Sequence, residues 1–255
     1  MLTPVLLYCG EFLPPKHLYY KTHNIWLSKE AQSSIIPLRQ NTTFNTESSN
    51  SNTKMLKNTT KPIVIFIGGF LDSYHQVIFR EFVTFTQDSC LQLAKIPFVA
   101  KVYSTFSCKK LFTSLLPEIL TLGYVPYIIA HSWGASNICK ALESCVGNLP
   151  NNAIPLLLTL DPVGYWQPSQ AIKCVEKWIN IYIANKWKHC CNASNICTFI
   201  GHAWNECKYA NENISINNQH FNNISDKDST NTRKKPITHA SVGRMLQVFN
   251  NPPMA

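Results

Sequence analysis

The stretch Tyr127-Ile-Ile-Ala-His-Ser-Trp-Gly-Ala-Ser136 decides how the chain folds. An apolar run through Val125, Tyr127, Ile128, Ile129 and Ala130 reaches His131-Ser132-Trp133-Gly134. A helix-like pattern follows through Ala141, Leu142 and Val146. This reads as a strand, a sharp turn and a helix, with Ser132 at the turn. A residue there is forced into a strained backbone conformation. The small neighbours Ala130, Gly134 and Ala135 permit it, and the hydroxyl is lifted clear of the sheet. Whether Ser132 is a nucleophile or an ordinary serine depends on what the chain brings beside it.

Further strand-like runs lie on either side: Pro62 to Phe70 (PIVIFIGGF), Phe98 to Phe106 (FVAKVYSTF), Ile154 to Val163 (IPLLLTLDPV) and Trp178 to Ala184 (WINIYIA). Helical spacing separates them. Val77, Ile78, Phe82 and Phe85 mark one apolar face, Leu111, Leu115, Ile119 and Leu122 a second, and Val242, Met245, Leu246 and Phe249 a last helix. Strands without polar alternation, separated by amphipathic helices, need cover on both sides. The expectation is an α/β fold with a mostly parallel central sheet flanked by helices on both faces.

Residues 1–60 read as an N-terminal strand or extension followed, from Asn41 to Thr60, by an Asn/Ser/Thr-rich linker. Residues 61–255 read as one domain, a size that can bury a single large core. Within it residues 184–236, rich in Asn, Ser, Asp and Lys, suggest a long loop or lid.

Composition narrows the function classes. The net charge of +9 is scattered, with only Arg233-Lys234-Lys235 forming a compact run, so no nucleic-acid partner is expected. Peripheral contact with anionic membrane stays open. The ten cysteines fall mostly inside apolar stretches and form no CxxC pair, which reads as small buried hydrophobes with no metal site. Neither GxxxxGK[ST] nor GxGxxG occurs, and no cofactor is expected. The first residues lack a basic start, and no run approaches the length of a membrane span. A soluble, cytoplasmic chain is therefore the expectation, with export by another route and the oligomeric state left open.

A serine hydroxyl attacks only when a base takes its proton, and the base needs an acid to orient it. In a wound parallel sheet both partners must come from the edge where the strands' carboxyl ends gather. Asp161 ends the strand after the Ser132 strand, although an Asp-Pro pair also opens turns; Asp226 and Asp228 are weaker alternatives. His239 directly precedes the last helix between small neighbours, and His220 is its rival from an Asn-rich run. His131 points the wrong way along the turn and is expected to pack below it, while His202 reads as structural or pocket-lining. Backbone donors for an oxyanion are available from Trp133 and, through the Gly68-Gly69 turn, from Phe70.

Ala130-His131-Ser132-Trp133-Gly134, between a strand and a helix and followed in chain order by Asp161 and His239, resembles the serine lipase and esterase branch of the α/β-hydrolases over about residues 62–249. Two features depart from the family: Ala130 replaces the usual glycine, and the acid follows the strand immediately after the elbow strand. The resemblance implies hydrolysis of carboxylic esters through an acyl-serine intermediate. The aromatic residues near the turn point to a lipid ester, with Gly69, Leu71, Tyr74, Tyr165 and Trp166 as substrate-binding candidates beside Phe70 and Trp133. A thioesterase or acyltransferase would use the same triad, and a non-catalytic binding protein would keep only the scaffold.

Overall fold

The elbow strand lies at the centre of the molecule because its sequence offers no polar face. The computed structural model describes residues 20–22, 25–27, 61–70, 72–85, 100–104, 106, 109–121, 123–145, 147–184, 198, 200–217 and 237–250. Its strands are β1 (Tyr20–Thr22), β2 (Ile25–Leu27), β3 (Lys61–Ile67), β4 (Ala100–Ser104), β5 (Tyr124–His131), β6 (Ile154–Leu160), β7 (Val175–Ile183) and β8 (Glu212–Ile216). The helices are α1 (Asp72–His75), α2 (Val77–Thr84), α3 (Lys109–Thr121), α4 (Ser132–Ser144) and α5 (Val242–Asn250).

These strands form one sheet in the order β1-β2-β4-β3-β5-β6-β7-β8. The six from β4 to β8 run parallel, and the short β1 and β2 add an antiparallel edge. The fold class is therefore α/β. Successive side chains alternate between two buried layers, as a pleated strand requires. Ile63, Ile65 and Ile67 of β3 with Ile128 and Ala130 of β5 join α3 and α4 on one face. Val64 and Phe66 with Tyr127 and Ile129 join α2 and α5 on the other. The three apolar helical faces expected from spacing belong to these covers, with Leu122 and the Leu111 side chain outside the described residues.

Residues 200–217 differ from the expectation of a long loop or lid. They supply β8, paired in parallel with β7 from Ile179↔Glu212 to Ile183↔Ile216. A buried polar network fastens the approach to this strand. Trp178 Nε1 donates to Thr159 Oγ1 (3.0 Å), whose hydroxyl donates to Asn180 Oδ1 (3.1 Å), and Asn180 Nδ2 donates to the Asn205 carbonyl (2.7 Å) and to Asn213 Oδ1 (2.9 Å). Asn180 and Thr159 are wholly buried, so each such bond satisfies a group that would otherwise be costly. Polar composition here marks interior hydrogen bonding, which period and hydropathy cannot distinguish from a loop. Among the described residues no helix is long and apolar enough to cross a membrane.

One backbone approach sets how α4 lies on the sheet. A Cβ built on Gly134 would sit 2.3 Å from the Gly68 carbonyl oxygen and 2.9 Å from Ile67 Cγ2. Neither the turn nor the strand can retreat without breaking pairing. Gly134→Ala is expected to destabilise the protein by about 1–3 kcal/mol through overpacking, measured as a lowered urea midpoint; an unchanged midpoint would show that α4 does not rest on the β3 turn.

Candidate active site

Strand register brings the key side chains to one edge. In the β5–β6 ladder the last pair is His131↔Leu160, so Ser132 and Asp161 each stand one residue beyond it, side by side. Both have left-handed backbones, with φ of 55° at Ser132 and 42° at Asp161. This conformation is costly for residues other than glycine and is held here by the surrounding bonds. Val163 N–H donates to the Ser132 carbonyl (3.2 Å), and Asp161 N–H to that of Ile181 (2.6 Å).

His239 arrives from the turn before α5 and completes a chain of hydrogen bonds. Its Nε2 lies 2.8 Å from Ser132 Oγ and its Nδ1 lies 2.6 Å from Asp161 Oδ2. The other carboxylate oxygen of Asp161 accepts from Ile183 N–H (3.2 Å). All three residues are buried. With Asp161 as a carboxylate, Nδ1 carries the hydrogen and Nε2 presents a lone pair to the serine hydroxyl. A hydroxyl so placed can lose its proton as it attacks, and the imidazolium that forms has a counter-charge beside it.

His131 does more than pack below the turn. Its Nε2–H donates to the backbone carbonyl of His239 (2.9 Å), and the two rings lie 4.5 Å apart at 34°. The residue before the serine thus holds the backbone of the residue that bonds the serine. Sequence reasoning missed this role because the partner is 108 positions away.

A second buried carboxylate, Asp72, holds the turn facing Ser132. It accepts from Ile78 N–H (2.8 Å) at the start of α2 and from Tyr103 O–H (2.6 Å) of β4. Its own N–H donates to the Gly69 carbonyl (3.2 Å). Gln76, at the N-cap position of α2, makes no side-chain cap bond, so Asp72 satisfies that helix end from six positions away. Burial pushes the Asp72 carboxyl above its ordinary value of 3.8, against the opposing effect of the Tyr103 and backbone hydrogen bonds. Its only sequence signal was a position four residues after Gly68 in the IGGFLD turn.

The turn itself touches the serine: a Cβ on Gly69 would lie 2.6 Å from Ser132 Cβ. Phe70 follows it, and Trp133 opens the first turn of α4, where N–H groups have no intrahelical acceptor. The rings of Phe70 and Trp133 lie 5.5 Å apart, and Phe106 closes the group at 5.5 Å from Phe70 and 6.1 Å from Trp133. Phe106 was not expected at the site.

A cavity of about 470 Å³ opens beside Ser132, with Gly69, Phe70, Asp72, Arg80, Glu81 and His239 among its lining residues. Tyr165 and Trp166, expected to bind substrate, do not line it. Tyr165 is exposed against the ring of His202 and donates its hydroxyl hydrogen to the Ile200 carbonyl. Trp166 is half-buried against the α3/α4 core layer, with Lys140 Nζ 5.5 Å above its ring. Both follow Asp161 by only a few residues, but the Pro162–Gly164 segment turns toward residues 200–204 through the Val163↔Ala203 bridge and carries them away. Leu71, the Tyr74 side chain, His220, Asp226 and Asp228 lie outside the described residues. Four described cysteines, Cys139, Cys145, Cys174 and Cys207, are buried with free thiols. Burial pushes Cys174 to about 11 and Cys207 to about 12, which leaves these two thiols protonated and unreactive.

Asp72→Ala strands the Ile78 N–H and the Tyr103 hydroxyl and is expected to cost about 2–3 kcal/mol of stability, against about 1 kcal/mol for Tyr103→Phe, both read by urea unfolding. Because the folded state raises the Asp72 pKa, its contribution to stability is fullest below the ordinary carboxylate value and is lost as pH rises through the raised one. Asp72→Asn should remove that part of the pH slope. An identical slope in this variant would show that Asp72 does not titrate between the two values.

No protein-family model matches the chain and no curated protein sequence is similar to it, so the chemistry of the site rests on its own geometry.

Proposed function

We propose that this chain is a serine hydrolase on an α/β-hydrolase scaffold, cleaving carboxylic esters through an acyl-serine intermediate. The observation that carries this reading is the pair of hydrogen bonds from His239, 2.8 Å to Ser132 and 2.6 Å to Asp161, at the carboxyl ends of adjacent parallel strands. In this mechanism Ser132 Oγ attacks the ester carbonyl and its proton passes to His239 Nε2. The carbon–oxygen bond of the alcohol breaks, and the same proton goes to the departing oxygen. Water, deprotonated by His239, then attacks the acyl carbon and releases Ser132 and the acid. Asp161 keeps the imidazole oriented throughout, and the amides of Phe70 and Trp133 receive the developing oxyanion, each donor contributing roughly a hundredfold or more in rate.

An apolar acyl group suits the surroundings of Trp133. The three exposed large hydrophobic residues among those described, Phe70, Ile200 and Tyr165, are joined around it. Phe70 lies against its ring, Gly201 lies against its indole nitrogen, and the adjoining Ile200 accepts from the Tyr165 hydroxyl. The Phe70 and Trp133 rings beside Ser132 suit an alkyl chain, and the substrate class we favour is a lipid ester.

A fluorophosphonate probe is expected to modify Ser132, located by mass mapping of the labelled peptide, and the label should be lost in His239→Ala. Ser132→Ala should reduce ester turnover by roughly a millionfold, and Asp161→Asn by about ten-thousandfold, with unfolding midpoints little changed. Ester hydrolysis retained in Ser132→Ala would overturn the assignment.

A further inference from the structure

Ser132 stands between two walls of different chemistry. On the Trp133 side lie the Phe70, Phe106 and Trp133 rings. On the His239 side α1 and α2 bring Asp72, His75, Arg80 and Glu81 to the cavity wall beside the apolar Val77. This difference bears on the two halves of an ester. His239 Nε2 must deliver the proton to the leaving oxygen, so the alcohol half lies on the His239 side and the acyl half on the aromatic side.

The carboxyls of this wall are used unequally. Both oxygens of Asp72 accept hydrogen bonds within the protein. Glu81, on the next helix, is partly buried, and burial pushes its carboxyl above the ordinary value of 4.5, with no hydrogen bond or neighbouring charge from the described residues acting on it. It is lodged against α5, where a Cβ on Gly243 would come within 2.9 Å of Glu81 Oε1. The absence of a side chain at position 243 is what leaves room for the carboxyl. A carboxyl held in the cavity wall beside Ser132, with its lone pairs unengaged by the described residues, is an acceptor for something that enters the cavity.

We propose that Glu81 is a specificity-determining residue that accepts a hydrogen bond from the leaving alcohol, so that the substrate is an ester joining an apolar acyl chain to a polar, hydrogen-bond-donating alcohol. The donor is a second hydroxyl, as in a polyol, or an ammonium group, as in an amino alcohol. This deepens the hydrolase reading and rests on it. An alcohol without a donor leaves the carboxyl desolvated and unpaired in the closed complex, which is how such a site discriminates between substrates.

The test compares kcat/KM for three esters of one medium-chain acid, with ethanol, glycerol and ethanolamine as the alcohols. The comparison is made in the full-length chain and in Glu81→Leu and Glu81→Gln, each first checked for a cooperative unfolding transition and for fluorophosphonate labelling of Ser132. The expected result is a preference of roughly tenfold or more for one or both donor-bearing esters over the ethyl ester, falling to near unity in Glu81→Leu. A merely structural role for Glu81 would slow all three esters alike and leave the ratios unchanged. Glu81→Gln separates the two donor sources: a preference retained there identifies a hydroxyl, and a preference lost there identifies an ammonium that needs the negative charge. Unchanged ratios in a labelled, folded Glu81→Leu protein overturn the inference and leave the hydrolase reading standing. No labelling of the folded wild-type chain overturns both.

Discussion

The Ser132 edge depends on how closely two backbones approach each other. The Gly68-Gly69 turn after β3 and the start of α4 are in direct contact, so close that a methyl group on Gly134 would collide with the Gly68 carbonyl and one on Gly69 with Ser132 itself. The serine at this contact has a left-handed backbone, with φ of 55°. The turn cannot relax away, because Gly68 N–H donates to Ser104 of β4 (2.8 Å) and Asp72 ties it to β4 and α2. Strain at one residue is thus maintained by satisfied hydrogen bonds at several others, the pattern expected where a fold holds a reactive group ready.

The interior is polar where it must be, and each buried polar group has a task that its partners define. Asp161 orients His239 and is itself fixed by the Ile183 amide. His131 holds the His239 backbone, and Asp72 spans the turn. Thr159, Trp178 and Asn180 form a separate chain of bonds that joins residues 205–213 to the sheet. Glu81 is the exception in the cavity wall. It is less buried than they are, and among the described residues no donor reaches its carboxyl.

Much of this architecture was legible in the chain. The unbroken apolar runs at 62–67, 124–131, 154–160 and 178–183 required a sheet buried on both faces, and helical spacing located α2, α3 and α5, because burial acts directly on residue type and period. The edge strands β1 and β2 and the strand β8 were not legible as such. Three-residue strands carry no period, and the Asn-rich approach to β8 looks like a loop until Asn205, Asn211 and Asn213 are seen bonding inward. Tyr165 and Trp166 stand away from the cavity beside Ser132 for a related reason. Nearness to Asp161 in sequence says nothing about which way a turn departs from the sheet.

What the sequence determined by itself was the α/β class, the turn at Ser132, and the presence of a serine, an aspartate and a histidine in an order that a wound sheet could gather. Those follow from local sterics and from burial, which each residue carries with it. The tertiary structure decided the rest. It set the register that seats Ser132 beside Asp161, selected His239 as the ring within 2.8 Å of the serine, put His131 and Asp72 to work as supports, and placed Glu81 in the wall of the cavity beside Ser132. These depend on distances between segments from about thirty to more than a hundred residues apart, which no local pattern encodes.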